Sequence, residues 1–238
     1  MQIISARKIN TADYGAITEH PNLYAIHVQV SSNDLEIIGT DLLNVINDSS
    51  WMMQLDDIDR CAYEARAVRT MQKITDIILT ALEDNNLTNN FGEYMVSHTA
   101  QEVLRDTYNH TRIPLPELWK EKKTGNPGYD FHTLSNTNII VFGEAKYSSQ
   151  FTPSYKAIKQ INDFITIGKD LMELSDLKTL VSEESARNAI NGMRGYTAAF
   201  SARNFRDIET VIKKSIEHTI GTSIINASEI YIVAVEII

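Results

Sequence analysis

Gly128-Tyr129-Asp130-Phe131-His132 and Gly143-Glu144-Ala145-Lys146 bring an aspartate, a glutamate and a lysine to the two ends of a short segment that contains the apolar run Ile139-Ile140-Val141-Phe142. Side chains alternate along a strand, so Glu144 and Lys146 share one face while Ala145 points to the other. The carboxylates of Asp130 and Glu144, with the Ala145 carbonyl, are hard oxygen donors suited to Mg²⁺ or Mn²⁺. A cation there would polarise a phosphate and lower the pKa of a water. Lys146 would position that water or offset charge gathering on phosphorus. The chemistry these residue types allow is hydrolysis of a phosphodiester.

An acidic residue, any residue and a lysine make a common triplet. Glu121-Lys122-Lys123 and Asp176-Leu177-Lys178 repeat it in a proline-flanked loop and in a helical or linker stretch, where such charges face water. Only Glu144-Ala145-Lys146 ends an apolar strand with an aspartate just upstream. The plain alternative is a salt bridge at a strand end, but gathering several charges in one place is costly unless something compensates them. A helical glutamate would complete the site. At 100° per residue Glu93 lies near the stripe Val96, Ala100, Val103 and Leu104, whereas Glu102 points to the opposite side with His98, Arg105 and Asp106. Glu93 is therefore the expected fourth member, to hold a second metal or orient a water, although a glutamate in a first helical turn also suits the macrodipole.

Secondary candidates follow from position. His132 shares the strand face of Asp130 and would hydrogen-bond a ligand or phosphate, although a lone histidine is more often structural. Gln160 sits at the edge of an apolar helical stripe and could bridge Lys146 and a DNA backbone. Arg187, Arg194, Arg203 and Arg206 could grip phosphates or make surface ion pairs.

The elements that must position these groups can be read coarsely. Residues 23–30 read as a strand, and 56–84 as a long helix with Leu55, Ile58, Ala62, Ala65, Val68, Ile74, Ile78 and Leu82 near helical spacing and no internal Gly or Pro. A second helix is expected over 92–108. Residues 112–128, with three prolines, two glycines and a charged run, read as a loop or flap. Two strands near 129–133 and 139–146 are joined by Ser135-Asn136-Thr137-Asn138, short and polar enough for a hairpin. Helices are expected after Pro153 and over 183–203 and 205–219, and a buried strand over 230–238. This order implies an α/β (α+β) fold, a central mixed sheet flanked by helices.

Composition narrows the class. The chain has 238 residues, enough for a substantial core. No apolar run is long enough to cross a bilayer and no secretory leader is evident. The single cysteine, Cys61, excludes an internal disulfide and fits a reducing compartment, so a soluble cytoplasmic protein is expected. The net charge of −9 argues against a broadly electrostatic DNA binder. Charge is uneven: residues 1–90 carry 6 basic against 13 acidic side chains, and residues 185–215 carry 6 basic against 2 acidic. The second region is the better place for DNA, and the first would face a protein or solvent. Nothing resembles a Gly-rich phosphate loop, a nucleophile elbow or a Ser/His/Asp set.

Gly128-Tyr129-Asp130 followed by Gly143-Glu144-Ala145-Lys146 resembles the PD-(D/E)xK signature of the restriction-endonuclease-like nucleases, with Pro127 three residues before the aspartate instead of one. Phe91-Gly92-Glu93, Asp130-Phe131-His132, Phe142-Gly143-Glu144-Ala145-Lys146-Tyr147 and a helix near Ala157-Ile158 are similar to the HamA-like nuclease subunit of Hachiman bacterial anti-phage systems, over roughly residues 91–165. That resemblance implies a restriction-endonuclease-like core over 89–238 with an N-terminal strand and long-helix addition over 1–88. It implies metal-dependent DNA cleavage by Glu93, Asp130, Glu144 and Lys146, and a helicase-like partner subunit that restrains the nuclease. The rival expectation is a nuclease-like scaffold that binds DNA or protein without cutting.

Overall fold

The computed structural model describes residues 1–238 except 17–19, 21, 32, 84–86, 120–127 and 204–206, and also leaves out the side chains of Arg66 and Arg203. Seven strands form one mixed sheet in the order β1-β2-β7-β6-β5-β4-β3. They are β1 (Gln2–Lys8), β2 (Leu23–Val30), β3 (Thr111–Arg112), β4 (Phe131–Leu134), β5 (Ile140–Lys146), β6 (Gly195–Arg203) and β7 (Glu229–Ile237). The four central strands β2, β7, β6 and β5 run parallel, and antiparallel pairs finish both sides. β2 and β7 are nearly unbroken apolar runs, as strands covered on both faces require. Residues 1–88 therefore contribute two strands to the same sheet that carries Asp130 and Glu144.

Helices flank the sheet. They are α1 (Asp34–Asn47), α2 (Asp57–Glu83), α3 (Asn89–Tyr108), α4 (Pro116–Trp119), α5 (Ser154–Ile167), α6 (Lys169–Leu177), α7 (Glu183–Ile190) and α8 (Ile208–Ile220). α3 packs on β4 to β7, α5 on β5 and β6, and α8 on β7. Among the described residues no helix is long and apolar enough to cross a membrane.

The strands at 23–30, 131–134, 140–146 and 229–237, the long helix and the helix after Pro153 match the expectations from sequence. The helix expected over 183–203 does not. It stops at Ile190, and residues 195–203 are the central strand β6. The run Tyr-Thr-Ala-Ala-Phe-Ser-Ala favours a helix by its alanines, but its small residues also fit a strand enclosed between β5 and β7. Burial from both sides overrides propensity. Gly192, at φ 89°, and Gly195, where a Cβ would come within 2.8 Å of Val141, separate helix from strand.

β1 and α1 have no counterpart in the sequence reading, and α6 (Lys169–Leu177) has one only in Asp176-Leu177, read as helical or linker. The buried stripe of α2 is Tyr63, Ala67, Ile74, Ile78 and Ala81, while Ile58 and Val68 are exposed. α3 is enclosed more fully than its pattern suggested, and His98, expected toward solvent, is buried. The loop expected over 112–128 contains the end of β3 and the short α4, whose Trp119 is wholly buried; the charged run Lys120-Glu121-Lys122-Lys123 lies outside the described residues.

One close approach sets the hairpin that carries the candidate site. Gly143 pairs with Phe131, and a Cβ on Gly143 would come within 2.3 Å of the Phe131 ring. Phe131 is wholly buried and cannot swing away. Gly143→Ala is expected to destabilise the fold by about 2 kcal/mol through overpacking, read as a lowered urea midpoint. An unchanged midpoint would mean that the strands can part at this point.

Candidate functional site

The β4–β5 hairpin brings Asp130 beside the last turn of the β5 ladder. The Asp130 N–H donates to the Gly143 carbonyl at 2.9 Å, and the Ala145 N–H donates to Asp130 Oδ2 at 2.9 Å. The side chain of Asp130 thus extends the ladder one step beyond β4. Glu144 is wholly buried, and Lys146 Nζ donates to its Oε1 at 2.5 Å while lying 3.9 Å from Asp130 Oδ2. Glu144 Oε2 is buried with no hydrogen-bond partner among the described residues. Burial, then the charge of Asp130, pushes the Glu144 carboxyl well above its ordinary value, against the pull of Lys146. Burial works against the Lys146 ammonium, but Glu144, Asp130 and Glu93 outweigh it and raise its pKa.

Glu93 stands in the first turns of α3, whose N-cap Thr88 accepts from the Phe91 N–H at 3.3 Å. It is half-buried and lines a cleft of about 250 Å³ with Lys73 and Ile77 of α2, Asn90, Tyr94 and Ser97 of α3, Glu117 of α4, and Asp130. Burial, with the charges of Glu117, Asp130 and Glu93, raises the Tyr94 hydroxyl. Asp130, Glu144, Lys146 and Glu93 are thus gathered at one end of the sheet, Glu93 at longer range.

Among the described residues no three His, Cys, Asp or Glu side chains are close enough together to form a metal cluster. The oxygen donors that the cluster could offer a cation are those of the adjacent pair Asp130 and Glu144, with the Ala145 carbonyl. Mg²⁺ keeps several waters and commonly takes only one or two protein carboxylates, so the pair is chemically sufficient. The orphaned Glu144 Oε2 is the atom that a cation would satisfy.

The secondary candidates fare differently. His132 is wholly buried, its Nε2 3.0 Å from Glu173 Oε2 and its ring among Trp119, Tyr129 and Phe142. It cannot touch DNA from there and is part of the interior. Gln160 is half-buried on α5, with no hydrogen bond to the cluster among the described residues. Arg187 pairs with Glu183 on the surface. Arg194 donates to the wholly buried Asp170 at 2.5 Å, and the Tyr196 hydroxyl donates to the same oxygen at 2.5 Å, so Arg194 serves an internal pair instead of a phosphate. The Arg203 side chain and Arg206 lie outside the described residues.

Sequence reasoning missed Lys73, Tyr94 and Glu117, which reach the cleft from three helices, and the buried acids Asp170 and Glu173 of α6. Glu173 also accepts from the Tyr129 N–H at 3.2 Å, and so holds the segment that carries Asp130 from both sides. The available signal was Lys169-Asp170-x-x-Glu173 directly after Gly168, but charges at such spacing look like a solvated helix face. Comparison with protein-family models, with curated proteins and with solved structures finds no match to this chain.

Two measurements test these assignments. Below the ordinary carboxylate range Glu144 is protonated whether folded or not, and costs nothing. As pH rises the unfolded chain ionises freely while the folded one resists, so the cost of Glu144 grows until its raised folded value is passed. Glu144→Gln is therefore expected to exceed wild-type stability at neutral pH in chelator, with the gain vanishing in acid, as read from urea midpoints across a pH series. Lower stability at every pH would mean that the ion pair with Lys146 outweighs the cost of burying the charge. In the same assay Arg194→Met, which removes the cationic partner of buried Asp170, is expected to cost about 3 kcal/mol, and Arg187→Ala less than about 0.5 kcal/mol. Equal effects would contradict the assignment of Arg194 to the interior.

Proposed function

We propose that this chain is a divalent-metal-dependent deoxyribonuclease of PD-(D/E)xK type. The observation that carries the reading is Glu144, wholly buried at a strand end with one oxygen lacking a hydrogen-bond partner among the described residues, beside Asp130 and Lys146. Asp130, Glu144 and the Ala145 carbonyl would hold Mg²⁺ or Mn²⁺. When bound, the cation supplies Lewis acidity to the phosphoryl oxygens and makes water more acidic. Lys146, its charge kept by the two carboxylates, donates to the attacking water or to the oxygens on which charge develops. Glu93, across the cleft from Asp130, accepts a proton or a hydrogen bond from the water on that side.

The resemblance to Hachiman nuclease subunits extends this reading to a cytoplasmic effector in anti-phage defence that works with a helicase-like partner. The chain's net charge of −9 and the engagement of Arg187 and Arg194 in ion pairs fit a nuclease to which a partner delivers DNA. The alternative is a catalytically inactive nuclease-like scaffold that binds DNA or protein.

The test is cleavage of plasmid and single-stranded DNA with Mg²⁺ or Mn²⁺, with and without the helicase-like subunit and ATP. Asp130→Ala, Glu144→Ala and Lys146→Ala should each reduce cleavage by about 10²-fold or more, and Glu93→Ala by about 10²-fold. Cleavage that survives Glu144→Ala would sink the site assignment. Calorimetry that detects neither metal, together with no cutting under any condition, would establish the scaffold.

A further inference from the structure

A second pocket, of about 280 Å³, opens at the other end of the β4–β5 hairpin, where the turn at Asn136 and Thr137 meets the start of β7 and the end of α3. Three tyrosines form one wall. Tyr24 and Tyr231, neighbours on β2 and β7, stack at 5.2 Å with 13° between planes, and Tyr108 of α3 tilts against both at 4.8 and 5.4 Å. Tyr24 and Tyr108 are half-buried and reach the mouth; Tyr231 is buried behind them.

Glu229 lines the same pocket and is only 6% exposed. It accepts hydrogen bonds from Thr137 Oγ1 at 2.6 Å, Tyr231 Oη at 3.1 Å and Ser135 Oγ at 3.2 Å. Every one of these donors is neutral, and among the described residues Glu229 forms no ion pair. His110 lies 3.1 Å from the Tyr231 hydroxyl, but burial lowers its pKa to about 4, so it brings no positive charge at neutral pH. Neutral donors solvate a buried carboxylate without cancelling its charge.

The end of α3 adds to the same potential. Asn109, at φ 58°, caps the helix in the left-handed conformation, and its N–H returns to the Arg105 carbonyl at 3.0 Å. The last carbonyls of a helix carry partial negative charge. A buried carboxylate, a helix C-terminus and the negative faces of aromatic rings all attract a cation, and none attracts an anion. The small volume suits a head group better than a large ligand.

We propose that this pocket binds a small organic cation, an alkylated ammonium head group, paired with Glu229 and seated against Tyr24 and Tyr108. It lies at the far end of the sheet from Asp130 and Glu144 and does not depend on the nuclease reading.

The test uses tetramethylammonium chloride as probe, with tert-butyl alcohol as the neutral analogue of the same shape and sodium chloride at matched ionic strength, and follows tyrosine-ring NMR shifts of the whole chain. Saturable shifts of the Tyr24 and Tyr108 rings are expected with the ammonium salt alone, and Glu229→Gln should weaken binding by about tenfold. Should that variant fail to fold, half-exposed Tyr24→Leu, which removes a ring face and leaves the Glu229 hydrogen bonds in place, should weaken it severalfold. No saturation with the ammonium salt, an equal response to tert-butyl alcohol, or binding indifferent to the variants would each overturn the proposal.

Discussion

The Phe131 ring lies where a side chain on Gly143 would have to be, and this exclusion governs the register of the β4–β5 hairpin. Register matters more than proximity here. A slip of one residue would turn every side chain of β5 to the opposite face, sending Glu144 and Lys146 away and Ala145 toward Asp130. With Phe131 opposite Gly143, Asp130 falls at the level of Glu144 and its carboxylate accepts the Ala145 N–H. A packing constraint between two apolar positions therefore fixes the separation of two acids one step further along.

Electrostatics divide the molecule in a way that composition alone does not suggest. Two buried acids of α6 sit in compensated sets: Glu173 with His132 and the Tyr129 N–H, and Asp170 with Arg194 and Tyr196. Each set ties α6 to the sheet, the first at β4 and the second at β6. Buried charges persist only where partners replace water. Glu144 differs from both, since Lys146 meets one of its oxygens and the other has no hydrogen-bond partner among the described residues. That asymmetry separates Glu144 from Asp170 and Glu173, whose carboxylate oxygens are all met.

Much of the frame was legible in sequence because it rests on local signals. The hairpin follows from an apolar run bounded by polar turn residues, and the long helix from 27 residues without Gly or Pro. The gathering of Asp130, Glu144 and Lys146 follows from strand alternation, and Glu93 from the helical wheel. What was not legible depends on tertiary context. β6 reads as a helix until β5 and β7 are placed on either side of it. His132 and Arg194 look like groups available to DNA until α6 supplies Glu173 and Asp170. The inward stripe of α2 was misjudged because Ile58 and Val68, both apolar, remain exposed and so count for nothing in the core.

The parallel centre of the sheet also bears on how the chain acquires its structure. β2 is an early element and β7 the last, yet they are neighbours, and β7 alone joins β2 to β6. Until β7 docks, the β1–β2 pair and the β6-to-β3 segment are separate half-sheets with open edges. Closing them requires contacts between residues roughly 200 positions apart, such as Leu23 with Ile230. Such pairing carries a large loop-closure entropy before any of it is repaid. Assembly of the sheet is accordingly expected to be slow and late, with the unpaired edges of β2 and β6 open to other chains in the meantime.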